Sequence, residues 1–235
     1  MNIAVLSDIH SNKFALSSTL KFLEDKGIDK YFFLGDYFGY YPWASETYCE
    51  IEKLFSRSYH ILGNHDELIC RELAPSPAPE YWEVIVQNRS VLSSKAVEWL
   101  KSLSPEKKLH IDTIQFRLFH GTPNEPLTGR FYPDNNNGYY WFPKKNEVLL
   151  MGHTHYPIYK EVPDGGIIIN PGSIGQPRDG ILESSLCIID TVTSDVKFYR
   201  VPYQINQAIS ELENMNWYPR AIKSLRKISQ QKNDK

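Results

Sequence analysis

The chain has 235 residues, 41% hydrophobic and 23% charged, with 13 Gly and 15 Pro, the profile of one sizeable globular core; global disorder and a fibrous fold are excluded. Its 26 basic and 28 acidic residues leave a net charge of -2, too weak a field to suggest a long nucleic-acid partner or an anionic membrane surface. Three widely spaced cysteines, Cys49, Cys70 and Cys187, exclude a disulfide framework and a cysteine-built zinc site and fit a reducing cytoplasm.

The N-terminus opens directly on an apolar run at 3–6, without the basic region of a signal peptide, and no run of about 18 apolar residues could span a bilayer. A cytoplasmic protein is expected. The run at 3–6 reads as a strand, followed by a polar turn at 7–12 and a helix through Phe14, Leu16, Leu20 and Leu23 that closes at Gly27. A second strand at 31–34, a loop at 35–42 and a helix carrying Tyr48, Ile51, Leu54 and Phe55 repeat the unit, and a short third strand at 59–62 leads into 63–67. Strands alternating with helices predict a sheet with helices packed on it.

Pro75, Pro77 and Pro79 mark a loop, and two helices are expected at 82–92 and 95–103, the second capped by Ser93 or Ser94. The later half changes to short strands at 108–111, 115–119, 148–151, 158–161, 167–170, 185–190 and 196–200, which read as a second sheet. No linker or repeat separates the halves, so residues 1–203 are expected to form one α/β sandwich. The tail at 204–235 reads as helical, with Ile205, Ile209 and Leu212 on one face and an interruption at Pro219. Its last 16 residues carry six Lys or Arg against one Asp, the pattern of a solvated basic helix ahead of that of a contact surface.

Five polar clusters follow apolar strands: Asp8-Ile9-His10, Gly35-Asp36, Gly63-Asn64-His65-Asp66, His120-Gly121 and Gly152-His153-Thr154-His155. In α/β sheets ligands gather beyond the carboxyl ends of strands, so these clusters can converge. Together they offer oxygen and imidazole donors suited to Mn, Fe, Zn, Co or Ni, and no soft sulfur. Seven ligands shared between two ions through one bridging carboxylate leave room for water and substrate, as two-metal phosphoryl transfer requires with ions roughly 3.5–4 Å apart. His60 and His110, within or beside strands, read as structural.

The same residues resemble the calcineurin-like metallophosphoesterases, whose motifs run DxH, GDxx, GNH(D/E), H and GHxH in this order. The full series is far more specific than DxH or GD alone. The resemblance extends from Leu6 to about Asp190, and the loop 170–180 (NPGSIGQPRDG) is similar to that of the small bacterial and archaeal phosphodiesterase branch, although Tyr41 stands where Gly is common there. It implies a four-layer αββα sandwich of two mixed β-sheets. It also implies two divalent ions, Mn favoured, the first held by Asp8, His10, Asp36 and His155, the second by Asp36, Asn64, His120 and His153, with Asp36 as the bridge. A metal-bridging hydroxide would then attack phosphorus in line. His65 is the candidate general acid, oriented by Asp66, and Asn64 and Arg178 are the candidate substrate-binding residues. Arg178 competes between a phosphate clamp and a salt bridge to Asp179 or Asp164.

The segment 122–145 is the candidate specificity excursion. Its aromatics, Phe131, Tyr132, Tyr139, Tyr140, Trp141 and Phe142, either stack a flat leaving group beside the metals or cover the core or a dimer contact; Tyr37, Phe38, Tyr40, Tyr41 and Trp43 raise the same question. The resulting expectation is a hydrolase cleaving a phosphodiester or pyrophosphate bond in a small phosphate-ester or nucleotide-like substrate, as a monomer or homo-oligomer with no membrane or extended nucleic-acid interface. The alternatives are a phosphomonoesterase or protein phosphatase on the same site, or a non-catalytic interaction module.

Overall fold

Short apolar runs, buried on both faces, set the two central layers. The computed structural model describes residues 1–71, 79–134 and 141–230. In it, β1 (Asn2–Leu6), β2 (Lys30–Phe33), β3 (Ser58–His60), β9 (Ser184–Asp190) and β10 (Val196–Val201) form one sheet in the order β10-β9-β1-β2-β3. A second sheet of β4 (Glu106–Ile111), β5 (Ile114–Phe119), β6 (Glu147–Met151), β7 (Pro157–Glu161) and β8 (Ile167–Pro171) runs β4-β5-β6-β8-β7. Each sheet is mixed: β1, β2 and β3 are parallel in the first and β5, β6 and β8 in the second, with antiparallel strands outside them. Parallel neighbours bring the ends that carry the polar clusters to one edge of each sheet.

Because successive side chains in a strand point to opposite faces, Ile3 and Val5 of β1 and Phe32 of β2 meet Phe116 and Leu118 of β5 and Val148 and Leu150 of β6 between the sheets. Ala4, Leu6, Tyr31 and Phe33 face the other way, into a layer of helices α1 (Lys13–Glu24), α2 (Ala44–Glu52), α3 (Asn64–Cys70), α4 (Pro79–Val91) and α5 (Ser94–Lys101). Asn12 caps α1 by accepting from the Ala15 N–H at 3.1 Å, and Ser93, one of the two expected caps, does so for α5 through the Ala96 N–H at 3.2 Å.

The outer face of the second sheet buries Phe131, Leu149, Met151, Ile158 and Ile168, with Trp141 packed against them and, among the described residues, no helical one in the cluster. Phe131 therefore covers the core, and its expected alternative role as a wall beside metals is not realised. Tyr139 and Tyr140 lie outside the described residues. Tyr37, Phe38, Tyr41 and Trp43 are likewise buried; only Tyr40 of that run reaches the site. His60 is structural as expected, stacked on Phe33 with ring centroids 4.9 Å apart and hydrogen bonded to the Tyr37 hydroxyl.

The C-terminal tail corrects one expectation. Its helices α6 (Ile205–Asn214) and α7 (Pro219–Gln230) are docked: Ala208, Leu212, Ala221 and Leu225 close over Phe14, Tyr41 and Trp43. The charge count hid the small and apolar residues at 221 and 225, four positions apart on one helical face. Among the described residues no helix is long and apolar enough to cross a membrane.

Phe116, fully buried against Phe32 at 5.3 Å between ring centroids, tests the inter-sheet core. Phe116→Ala is expected to cost about 3–5 kcal/mol, read as a lower urea midpoint at unchanged slope; a loss below about 1 kcal/mol would show that this packing does not carry the fold.

Candidate metal centre

Asp8 and His10 follow β1, Asp36 follows β2, Asn64 opens α3 after β3, His120 follows β5, and His153 and His155 follow β6. All seven expected ligands meet where the two sheets present these strand ends. Five of them hold left-handed backbone: Asp8 (φ 55°), His10 (53°), Asp36 (54°), His153 (62°) and His155 (65°). Each such residue costs on the order of 1–3 kcal/mol and persists only where its surroundings over-determine it.

Those surroundings are visible. The Asp8 and His10 N–H groups donate to the Gly35 and Asp36 carbonyls at 3.1 and 3.0 Å. The Ser173 hydroxyl and the Gly175 N–H both donate to the Asp8 carbonyl, at 2.7 and 3.0 Å. Asn170 donates to the Gly152 carbonyl at 2.8 Å and to the Thr154 hydroxyl at 3.1 Å, pinning the loop of the two histidines. The end of β8 and the loop after it thus buttress the ligand loops. Gly63 is required by proximity, since a Cβ there would lie 2.1 Å from the Asp36 nitrogen and Oδ1.

The side chains fall into overlapping donor groups, each with its ligand atoms within 4.8 Å of one another: Asp8, His10 and His155; Asp36, His120 and His153; and His10, Asp36 and His65. Asp36 Oδ2 stands 3.7 Å from His10 Nε2 and 3.4 Å from His120 Nε2. Asn64 Oδ1 lies 3.0 Å from His120 Nε2. The outer nitrogens of three histidines are oriented by backbone: His10, His120 and His155 Nδ1 face the Phe38, Leu34 and Gln176 carbonyls at 3.3, 2.7 and 2.6 Å. A carbonyl at Nδ1 fixes the tautomer and turns the Nε2 lone pair inward, the outer-shell arrangement of metal-binding histidines.

This donor set fits a divalent cation. His10 Nε2 and His155 Nε2 lie 3.1 Å apart, and with protons on both Nδ1 atoms two lone pairs confront each other. Asp8 Oδ1 beside them is buried without a hydrogen-bond partner, a costly state for a charged oxygen. A cation shared by these atoms removes both conflicts.

The titration behaviour follows from the same crowding. Burial pushes the Asp8 and Asp36 carboxyls up, but the neighbouring imidazoles outweigh it, led by His155 for Asp8 and His120 for Asp36, and hold both below the usual range. Burial opposes protonation of His120, yet Asp36 prevails and raises it to about 9. His153 and His65 are each lowered by burial to about 4. Burial, then the Asp36 charge, lifts Asp66 to about 7.

Two expected roles change in detail. Asp66 does not face His65: its oxygens accept the Gly63, Tyr37 and Phe38 N–H groups at 3.0, 3.3 and 3.2 Å. Adjacent residues on a helix project in different directions, so Asp66 ties the start of α3 to the loop after β2. The Tyr81 hydroxyl of α4 takes the place at His65, 2.6 Å from Nδ1. Arg178 pairs with neither expected carboxylate among the described residues. Asp179 is held by Arg200, and Arg178 donates to the Tyr40 hydroxyl at 3.2 Å and to Gln176 Oε1 at 3.3 Å. Sequence reasoning missed Tyr81 and also Arg130, whose Nε donates to His153 Nε2 at 3.3 Å; neither stands in a motif, and only the fold brings them here.

Comparison with known proteins gives a consistent result. A protein of Methanocaldococcus jannaschii, MJ0912, is 30% identical over 227 residues, covering 89% of this chain and 91% of its own length. Phosphodiesterase MJ0936 of the same organism is 24% identical over 195 residues, covering 78% and 93%. The crystal structure of a metallophosphoesterase from Sphaerobacter thermophilus superposes with a TM-score of 0.78 at 25% identity, over 96% of this chain and 98% of that one. The family model of the calcineurin-like phosphoesterase superfamily domain matches residues 1–194, the span in which every one of these ligands lies, and this chain belongs to that family.

Proposed function

We propose that this chain is a dinuclear, metal-dependent phosphodiesterase of the cytoplasm, acting on a phosphodiester or pyrophosphate bond in a small or nucleotide-like substrate. The observation that carries the two-ion reading is Asp36, whose single oxygen Oδ2 stands within 3.7 Å of imidazoles from two different donor groups. Asp8, His10, Asp36 and His155 would hold one ion; Asp36, Asn64, His120 and His153 would hold the other. Two divalent ions held there, manganese favoured, would supply water activation for in-line attack and positive charge for the phosphate.

The remaining steps fall to the chain itself. His65 Nε2 lies 3.9 Å from Asp36 Oδ2 at the edge of the centre, where an imidazolium can hand its proton to the leaving alkoxide. The Tyr81 hydroxyl, 2.6 Å from its Nδ1 and 2.8 Å from its Nε2, holds the ring. Arg130, which donates to His153, and Arg178, which donates to the Tyr40 hydroxyl, offer guanidinium groups suited to a phosphate's oxygens. The name of the relative Phosphodiesterase MJ0936 favours a diester over a monoester. A purely scaffolding role would leave the buried Asp8 oxygen and the facing histidine nitrogens without a reason.

Two experiments test this. Elemental analysis of protein loaded with Mn should find two ions per chain, and Asp36→Ala should lose at least one of them together with turnover of a chromogenic phosphodiester; retention of both ions would refute the bridge. His65→Ala should lower kcat by about 10²–10⁴-fold with both ions retained, whereas loss of an ion would move His65 into the ligand set.

A further inference from the structure

The family match ends at residue 194, yet the helix pair beyond it reaches the metal centre. Trp217, in the connection between α6 and α7, donates its indole N–H to the Tyr40 carbonyl at 2.9 Å. One residue on, the buried Tyr41 hydroxyl lies 3.4 Å from the Ser224 hydroxyl of α7. Tyr40 itself is a bulky residue at φ 50°, a conformation such a side chain seldom adopts unless held. Its ring centroid lies 4.6 Å from that of His10 and 4.9 Å from that of His65, and its hydroxyl accepts from Arg178. A backbone held from the C-terminal side therefore carries a side chain that touches a metal-ligand candidate, the acid candidate and a phosphate-binding candidate at once.

We infer that Tyr40 is a positioning residue of the metal centre and that the C-terminal helix pair acts on the site through it, Trp217 holding the Tyr40 backbone left-handed so that the ring seats His10 and His65 and the hydroxyl aims Arg178. This rests on the phosphoesterase reading of the site and adds α6 and α7 to its machinery. Released from Trp217, Tyr40 would relax toward ordinary backbone, and the side of both imidazoles would lose its packing.

A double-mutant cycle tests it, with Mn affinity by calorimetry and kcat and KM on a chromogenic phosphodiester as separate readouts. Trp217→Phe keeps the aromatic body and removes the donor; it should weaken Mn binding and lower kcat/KM, each by about 10-fold, the scale for outer-shell partners of metal ligands. In a Tyr40→Ala background the same change should add nothing, because the two residues act in series. Tyr40→Phe should restore the Mn affinity lost in Tyr40→Ala while leaving KM raised through Arg178. Additive losses, or wild-type behaviour of Trp217→Phe, would overturn the inference. If thermal melting shows Tyr40→Ala unfolded, Tyr40→Leu takes its place in the cycle. A wild-type chain that binds Mn but turns over no phosphate ester defeats the phosphoesterase reading alone, since the Mn affinities still decide the coupling; one that binds no Mn overturns both.

Discussion

The constraint on which the rest of the structure depends is the burial of the Asp8 and Asp36 carboxylates among imidazoles beyond the strand ends. Removing charged groups from water is costly unless they are paired or coordinate a metal. Here Asp36 is 1% and Asp8 0% exposed, and their partners come from both sheets. His120, on the second sheet, reaches across to the Leu34 carbonyl at the end of β2 as well as to Asp36. The site is therefore also a seam between the sheets. A cation held there would give both carboxylates the positive partner that their burial calls for.

Holding such a cluster requires backbone that most residues avoid. The left-handed residues Asp8, His10, Asp36, His153 and His155 are of the types that tolerate this conformation best among those with a Cβ, so the metal-binding chemistry and the local geometry ask for the same side chains. The end of β8 and the loop after it supply much of the restraint, through Asn170, Ser173 and Gly175. The core makes this rigid: Ile3 and Val5 lock β1 between its neighbours and the second sheet, so strand ends cannot drift while loops strain.

Most of the fold was legible in the sequence, and so was the convergence of the candidate ligands, for physical reasons. Strands and helices announced themselves by apolar runs and period, and the candidate ligands by position, each cluster standing just past an apolar run. What escaped notice had no such marker. Asp66 sits in the motif beside His65, yet the helical turn directs it to the Gly63, Tyr37 and Phe38 N–H groups. The basic composition of the last residues suggested solvation, while Ala221 and Leu225 dock the helix over Tyr41 and Trp43. Phe131 could have faced either way, and the outer cluster on the second sheet claimed it.

By itself, then, the sequence determined the class of fold through its hydrophobic pattern, and its motif series, through resemblance to the phosphoesterases, supplied the seven ligand candidates and the hydrolytic chemistry they suit. Only the tertiary structure decided which groups stand beside them: Tyr81 at His65, Arg130 at His153, Trp217 at Tyr40. These contacts join segments far apart in sequence, and their partners carry no motif; they exist because packing the helices on the first sheet and closing the two sheets leaves those side chains at one edge.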